Sequence, residues 1–362
     1  MINVTKTFLP PFEEYNKYLQ GIWERNHITN HGPLVNELEH QLKEYLGVRH
    51  FFFVSNGTVA LQIALKALDV EGEVITTPFS YVATTSSIAW ENARPVFADI
   101  DPVTLTIDPA KVEALITPET RAILATHVYG IPCDVTAIAS LAAKHKLRVI
   151  YDAAHAFGVK YKGTPLLSFG DISTISFHAT KLFHTVEGGG IATNDDDLAH
   201  RISYMRNFGH NGQEAFWGLG INGKNSEVHA AMGLCNIPYI PAIMERRKYL
   251  CELYDSFLEE KNIKLFRPSV PSSVDYNFAY YPVVLESEKE LLAVKDNLNA
   301  SDIYPRRYFY PSLNQLPYLG NRAQCPVAES ISSRVLCLPL YHDLSGESVR
   351  RICAIIATAL KY

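Results

Sequence analysis

Ser176-Phe177-His178-Ala179-Thr180-Lys181, with Glu187-Gly188-Gly189-Gly190 close behind, is the stretch on which the reading of this chain turns. The apolar run Ile172 to Phe177 has the composition of a buried β-strand. Lys181 therefore falls on the loop leaving that strand, ahead of what reads as a glycine-rich turn. Upstream, Val149-Ile150-Tyr151 is another such strand, with Asp152 and His155 at its exit. A lysine at one strand end and a carboxylate at a neighbouring strand end are the pair that pyridoxal phosphate chemistry requires. The amine holds the aldehyde, and the carboxylate keeps the pyridine nitrogen protonated so that the ring accepts electrons.

From His50 to Thr193 strand-like and helix-like segments alternate. Phe51 to Val54, Glu73 to Thr77, Pro95 to Ala98, Ala122 to Thr126 and Arg148 to Tyr151 read as strands. Thr58 to Leu68, Ser80 to Glu91, Pro109 to Ile116 and Val135 to His145 read as helices, the first with Leu61, Leu65 and Leu68 at helical spacing. This alternation predicts an open, mostly parallel α/β sheet with helices on both faces. Ligands of such sheets sit outside the strand ends, which gathers Ser55 to Thr58, Pro78 to Tyr81, Asp152 to His155 and Ser176 to Lys181 along one edge. After Pro238 and Pro241 a second unit is expected. It holds a linking helix (Ala242 to Leu258), a strand (Ala279 to Leu285), a helix (Glu288 to Leu298) and a final amphipathic helix (Gly346 to Leu360). The division is a large α/β domain over 1–240, N-terminal arm included, and a smaller α+β domain over 241–362.

A chain of 362 residues is long enough for both units and a sizeable core, and 47% hydrophobic with 20% charged residues is ordinary for a soluble globular protein. A net charge of −5 without a long basic run argues against nucleic acid as a partner. Arg246-Arg247-Lys248 reads as a solvated helix face. Cys133, Cys235, Cys251, Cys325, Cys337 and Cys353 form no Cys-x-x-Cys pair and read as free thiols of a reducing cytoplasm. Met1 to Pro11 has no signal pattern, and no apolar run approaches the length of a membrane span. The expectation is a cytoplasmic protein that uses neither nucleic acid nor membrane.

The individual residues have plainer readings too. In Ser55-Asn56-Gly57-Thr58 the glycine lets backbone N–H groups approach an anion at a helix start, and Thr58 offers a hydroxyl; an ordinary helix cap is the alternative. Asp152 alone could be a helix cap, His155 a surface or core histidine and Tyr81 core packing. Lys181 is harder to dismiss, because a lysine next to an apolar strand and a triple glycine is not simple surface decoration; a salt-bridged lysine is the alternative, and desolvation near other cations would lower its amine pKa and make it a nucleophile. Ser176 adds a second phosphate hydroxyl, and Gly188 to Gly190 would allow backbone to pack beside the cofactor. His178 and His184 with His155 and Asp152 match no zinc spacing, so no metal is expected.

Taken together, Thr29 to Pro33, Ser55 to Thr58, Pro95 to Asp101, His127 to Gly130, Asp152 to His155, Ser176 to Lys181 and Glu187 to Gly189 resemble the sugar aminotransferases of the DegT/DnrJ/EryC1/StrS family, fold type I pyridoxal phosphate enzymes. The resemblance implies that Lys181 holds the cofactor covalently and that Asp152 partners the pyridine nitrogen. It further implies that His155 lies beside the ring, Tyr81 stacks on it, and Gly57, Thr58 and Ser176 contact the phosphate. Asn222 resembles an asparagine that reaches a phosphate across a dimer interface, which implies a homodimer with shared sites. Lys181 argues against the family's histidine-bearing dehydratases. Phe177-His178 and Glu187-Gly188-Gly189 resemble transaminases of the sugar's 4-position more than those of the 3-position. Val186 stands where a glycine is common, and Lys224 where an arginine is. Tyr304 to Pro311 resembles the segment of viosamine-forming enzymes, which points to Arg306, Arg307 and Tyr308, with His178, as contacts to the sugar and its pyrophosphate.

The expected reaction is transfer of the amino group of L-glutamate to C4 of a dTDP-4-keto-6-deoxyhexose, for surface polysaccharide (O-antigen) synthesis. The competing readings are a 3-position transaminase, a GDP-perosamine synthase, and a regulatory module that keeps the cofactor fold without turnover.

Overall fold

The computed structural model describes residues 1–319 and 323–360. Seven strands form the central sheet, in the order His50–Val54, Gly189–Thr193, Ile172–Ser176, Arg148–Asp152, Thr120–Thr126, Glu73–Thr76 and Arg94–Phe97. All neighbours pair in parallel except Gly189–Thr193, which is antiparallel to both of its partners. The strand interiors are buried on both faces, as the unbroken apolar runs require. Helices flank the sheet on both sides. Gly57–Ala67 packs on one face, with Leu61, Ile63 and Leu65 in its core. Pro33–Leu46 and Val135–His145 contribute Leu38, Leu42 and Ile138 to the core on the other.

The strand Gly189–Thr193 corrects the expectation of a glycine-rich turn. A β-carbon on Gly190 would lie 2.1 Å from the Phe51 ring, and one on Gly189 would lie 2.5 Å from the Asn56 carbonyl carbon. The glycines let this strand run hard against the bulky Phe51-Phe52-Phe53 strand and the backbone that opens the helix at Gly57.

A second core gathers Leu250, Tyr254, Tyr281, Leu291, Leu336, Ile352 and Ile356 around the antiparallel pair Tyr281–Val284 and Val335–Leu338. The helix Ile240–Glu260 runs into it from the first unit, and the helices Glu288–Ala300 and Gly346–Leu360 cover it. Residues 2–4, expected with the large unit, instead join this smaller one, while Phe8 and Ile22 pack on the large core as expected. Ile2–Asn3 pairs with Ile303–Tyr304, and Leu340 N donates to the Val4 carbonyl. Arg247 is a further correction. It is buried rather than solvated, and it donates to the carbonyls of Phe278 (2.9 Å) and Ala279 (2.6 Å). The linking helix is packed on this side, so the guanidinium satisfies a turn whose carbonyls have left the strand ladder. All six cysteines are buried and free. No helix among the described residues is long and apolar enough to cross a membrane.

Candidate active site

The carboxyl ends of the parallel strands open onto a cleft of about 400 Å³. Gly57, Thr58, Tyr81, Asp152, His155, Ser176, His178, Lys181, Arg306 and Tyr308 all line it. Two of the expected residues do not. Arg307 turns away to Glu288 (2.6 Å) and the Ser333 carbonyl (2.9 Å), with its guanidinium 3.5 Å from the Tyr310 ring. Adjacent residues on an extended segment point to opposite sides, so Arg306 and Arg307 cannot both face the cleft. Asn222 is exposed on a separate loop, bridged to Asn207 and accepting a 2.7 Å bond from Lys224.

Lys181 is carried by a loop that is pinned at both sides. Phe177 and Phe183 are buried and meet edge to face at 4.9 Å, and Phe183 stacks on Phe157 at 4.6 Å. Thr185 N donates to the Phe177 carbonyl, Asn236 donates to the His184 carbonyl, and Thr7 of the N-terminal arm donates to the Ala179 carbonyl. Val186 sits at φ 68°, a left-handed backbone that explains why glycine suits this position better than a β-branched residue. The Lys181 Nζ lies 3.4 Å from the Tyr280 hydroxyl. Burial lowers its pKa, opposed by attraction to Asp152, so more of the amine is neutral than an exposed lysine would offer.

Asp152 is the last residue of its strand, in register with Thr126 on one side and Thr174 on the other. Its Oδ2 accepts from Thr84 Oγ1 at 2.6 Å, and its Oδ1 accepts from Ala154 N at 3.1 Å. Burial raises its pKa, while the Thr84 and Ala154 donors and the charge of Lys181 pull the other way. His155 Nδ1 accepts from Tyr129 N at 3.1 Å, which leaves the proton on Nε2. The imidazole is parallel to Phe309 (5.7 Å, 2°) and meets Tyr280 edge-on at 4.8 Å. Burial holds it neutral, far below the usual histidine range.

At the other end of the cleft Asn56 caps the helix Gly57–Ala67 through a 2.8 Å bond from Val59 N. A β-carbon on Gly57 would lie 3.0 Å from that of Ser176, so the glycine brings the helix start against the serine. The Gly57 and Thr58 N–H groups and the Ser176 hydroxyl thereby share a cradle suited to a phosphate. Tyr81 is 59% exposed, which excludes core packing and leaves its ring to the cleft.

The neutral histidines predict a pH dependence of stability. His127 is fully buried, stacks on Tyr151 at 4.6 Å and accepts from Cys133 N, and its pKa is pushed down to about 3 by burial. His155, His184, His229 and His342 shift in the same direction. A depressed folded pKa stabilises fully above the unfolded value of 6.5 and is lost as pH falls toward the folded value. Stability should therefore decline from pH 6.5 downward, by about 1.4 kcal/mol per pH unit from His127 alone. Urea midpoints measured at pH 7 and pH 5 check this, and equal midpoints would contradict it.

Sequence reasoning missed Thr84, Tyr280 and Phe309. Thr84 and Tyr280 lie 68 and 99 positions from the groups they touch. A threonine in a helix and a tyrosine beside a strand carry no local mark of such contacts.

The sheet edge, the pinned lysine and the buried carboxylate together define a fold type I aminotransferase architecture. The profile of the DegT/DnrJ/EryC1/StrS aminotransferase family matches residues 12–357, and the chain belongs to that family. It is 44% identical to a dTDP-4-amino-4,6-dideoxy-D-glucose transaminase of Shigella dysenteriae, with 98% of each chain covered. It is 33% identical to a GDP-perosamine synthase of Caulobacter vibrioides, covering 95% of this chain and 94% of that one. Among solved structures, DesI in the presence of its TDP-sugar product superposes with a TM-score of 0.93 at 33% identity, covering 99% of this chain and 93% of DesI.

Proposed function

We propose that this chain transfers the amino group of L-glutamate to C4 of a dTDP-4-keto-6-deoxyhexose, giving 2-oxoglutarate and a dTDP-4-amino-4,6-dideoxyhexose. The observation that carries this reading is the convergence of Lys181 and Asp152, from separate strand ends, on one cleft with a helix-start cradle. The residues present fit pyridoxal phosphate. Gly57, Thr58 and Ser176 would hold its phosphate, Asp152 its ring nitrogen, Lys181 its aldehyde, and Tyr81 and His155 would flank the ring. When bound, the cofactor supplies a sink for the electrons released as a proton leaves carbon.

The rest is done by side chains of this protein. The Lys181 Nζ, neutral for part of the time, takes the proton from the α-carbon of glutamate and delivers one to C4 of the sugar. The Tyr280 hydroxyl orients that amine. His155, confined between Phe309 and Tyr280, stays neutral and adds no charge to compete with the ring nitrogen for Asp152. Arg306 and His178 face the cleft, where they would meet the anionic pyrophosphate and the glutamate carboxylates. Arg306 has no carboxylate within 4.0 Å among the described residues, in contrast to Arg307.

The active unit is a homodimer in this reading. The support is that Asn222 is exposed and outside its own cleft, on a loop that also exposes Phe216, Trp217, Leu219 and Ile221. A second copy would cover that loop and receive Asn222 at its phosphate cradle. The setting is the cytoplasm, where nucleotide-activated sugars for surface polysaccharide are made.

The dTDP assignment follows the similarity to the Shigella enzyme and to DesI. Incubating purified protein with glutamate and a panel of dTDP-, GDP- and UDP-keto-sugars, with NMR of the product, tests it. Turnover of the dTDP-4-keto sugar, at least tenfold above the GDP-4-keto sugar on a rough specificity scale, is expected. Preference for GDP, or a 3-amino product, would replace the assignment. Cofactor binding without any amino transfer would favour a regulatory module.

A further inference from the structure

We propose that Thr84 is a positioning residue for the transamination, the last link of a chain of three hydroxyls, Thr126 to Ser80 to Thr84, that holds Asp152 ionised and oriented toward the cofactor ring. The inference rests on the reading above, in which Asp152 partners the ring nitrogen.

Thr126 Oγ1 donates to Ser80 Oγ at 3.1 Å, Ser80 Oγ and Thr84 Oγ1 are 2.7 Å apart, and Thr84 Oγ1 donates to Asp152 Oδ2 at 2.6 Å. Each hydroxyl has one proton to give. An ionised carboxylate only accepts, so the Thr84 proton is committed to Asp152. Thr84 must then accept from Ser80, and Ser80 from Thr126. The charge at one end sets the direction of every bond, and bonds aligned this way polarise one another. All three side chains are at most 1% exposed, so bulk solvent has little access to the chain.

The arrangement answers a specific difficulty. Burial favours the neutral acid at Asp152. Lys181 opposes that only while its amine is charged, and it gives up that charge in the reaction. His155 is neutral. The hydroxyl chain persists whatever the state of Lys181. It also leaves one carboxylate oxygen partly free: Oδ1 takes only the Ala154 N–H and keeps a lone pair for a ring N–H. Two of its links, Ser80 and Thr84, bracket Tyr81, so one segment positions both the ring-stacking side chain and the ring's counter-ion.

The test is to reconstitute the full-length protein with pyridoxal phosphate labelled with ¹⁵N in the ring, since the nitrogen's chemical shift reports whether it is protonated. Wild type should give the protonated shift. Thr84→Val preserves shape and removes the hydroxyl. It should move the shift toward the unprotonated value and weaken cofactor binding about tenfold or more, read by fluorescence quenching as apo protein is titrated. Thr84→Ser should restore both. Ser80→Ala breaks the chain one link back and should produce a smaller change of the same sign; it decides the matter if Thr84→Val does not fold. A folded Thr84→Val protein with wild-type shift and affinity overturns the proposal, as does an unchanged Ser80→Ala where the valine variant is lost. Wild-type protein that binds no pyridoxal phosphate would sink the functional reading first.

Discussion

Lys181→Ala should lose transamination by about 10⁴-fold or more, because the variant lacks both the amine that holds the cofactor and the base that moves the proton. The environment makes no substitute available. The neighbouring Tyr280 hydroxyl is pushed well above its usual pKa by burial, so it cannot take the proton at neutral pH. His155 has Nδ1 engaged by Tyr129 N and carries its proton on Nε2, so it has no free lone pair to serve as the base. The purified wild-type protein should be yellow and change spectrum on addition of glutamate, and the variant should show neither property. Robust turnover by Lys181→Ala without added amine would refute the assignment. Partial rescue by a small exogenous amine would support it, since the missing group is then supplied from solution.

Asp152→Asn is the second large effect. The amide keeps the shape: its oxygen can accept from Ala154 N while its NH2 donates to Thr84, which reverses the hydroxyl chain, but it carries no charge to hold a protonated ring nitrogen. A loss of rate on the order of 10³-fold is expected, the scale of removing a preorganised charge from a buried site. The stability should move the other way. Asp152 is a buried carboxylate whose ionisation burial disfavours, so the apo variant should be as stable as wild type or more so. Opposite signs for activity and stability mark a group kept for chemistry rather than for folding. A rate within about tenfold of wild type would show that Asp152 is not the ring's counter-ion.

Much of this architecture is legible in the amino-acid sequence. The strand Ile172–Ser176 and the strand ending at Asp152 lie within one or two residues of their expected limits, because buried parallel strands are short, continuous apolar runs. The helix Gly346–Leu360 matches its amphipathic spacing residue for residue. The antiparallel strand Gly189–Thr193 is not legible in this way. Three glycines read as a turn until Phe51 and the Asn56 backbone are seen to occupy the space that side chains there would need. Arg247 misleads for a similar reason: a run of cations looks solvated until the carbonyls of Phe278 and Ala279 are placed under one of them. Arg306 and Arg307 are indistinguishable in sequence, and only the backbone's alternation sends one to the cleft and the other to Glu288.

The order of residues by itself determined the chemical parts: an amine and a carboxylate at strand exits, a glycine at a helix start and hydroxyls nearby. Periodicity and turn chemistry are local properties, and they place such groups at the same edge of a parallel sheet. Packing decided the rest. Which oxygen of Asp152 is committed, which arginine faces inward, and which tyrosine meets Lys181 depend on contacts between segments 19 to 99 residues apart. Hydrogen-bond direction and burial exist only once those segments are brought within a few ångströms of one another.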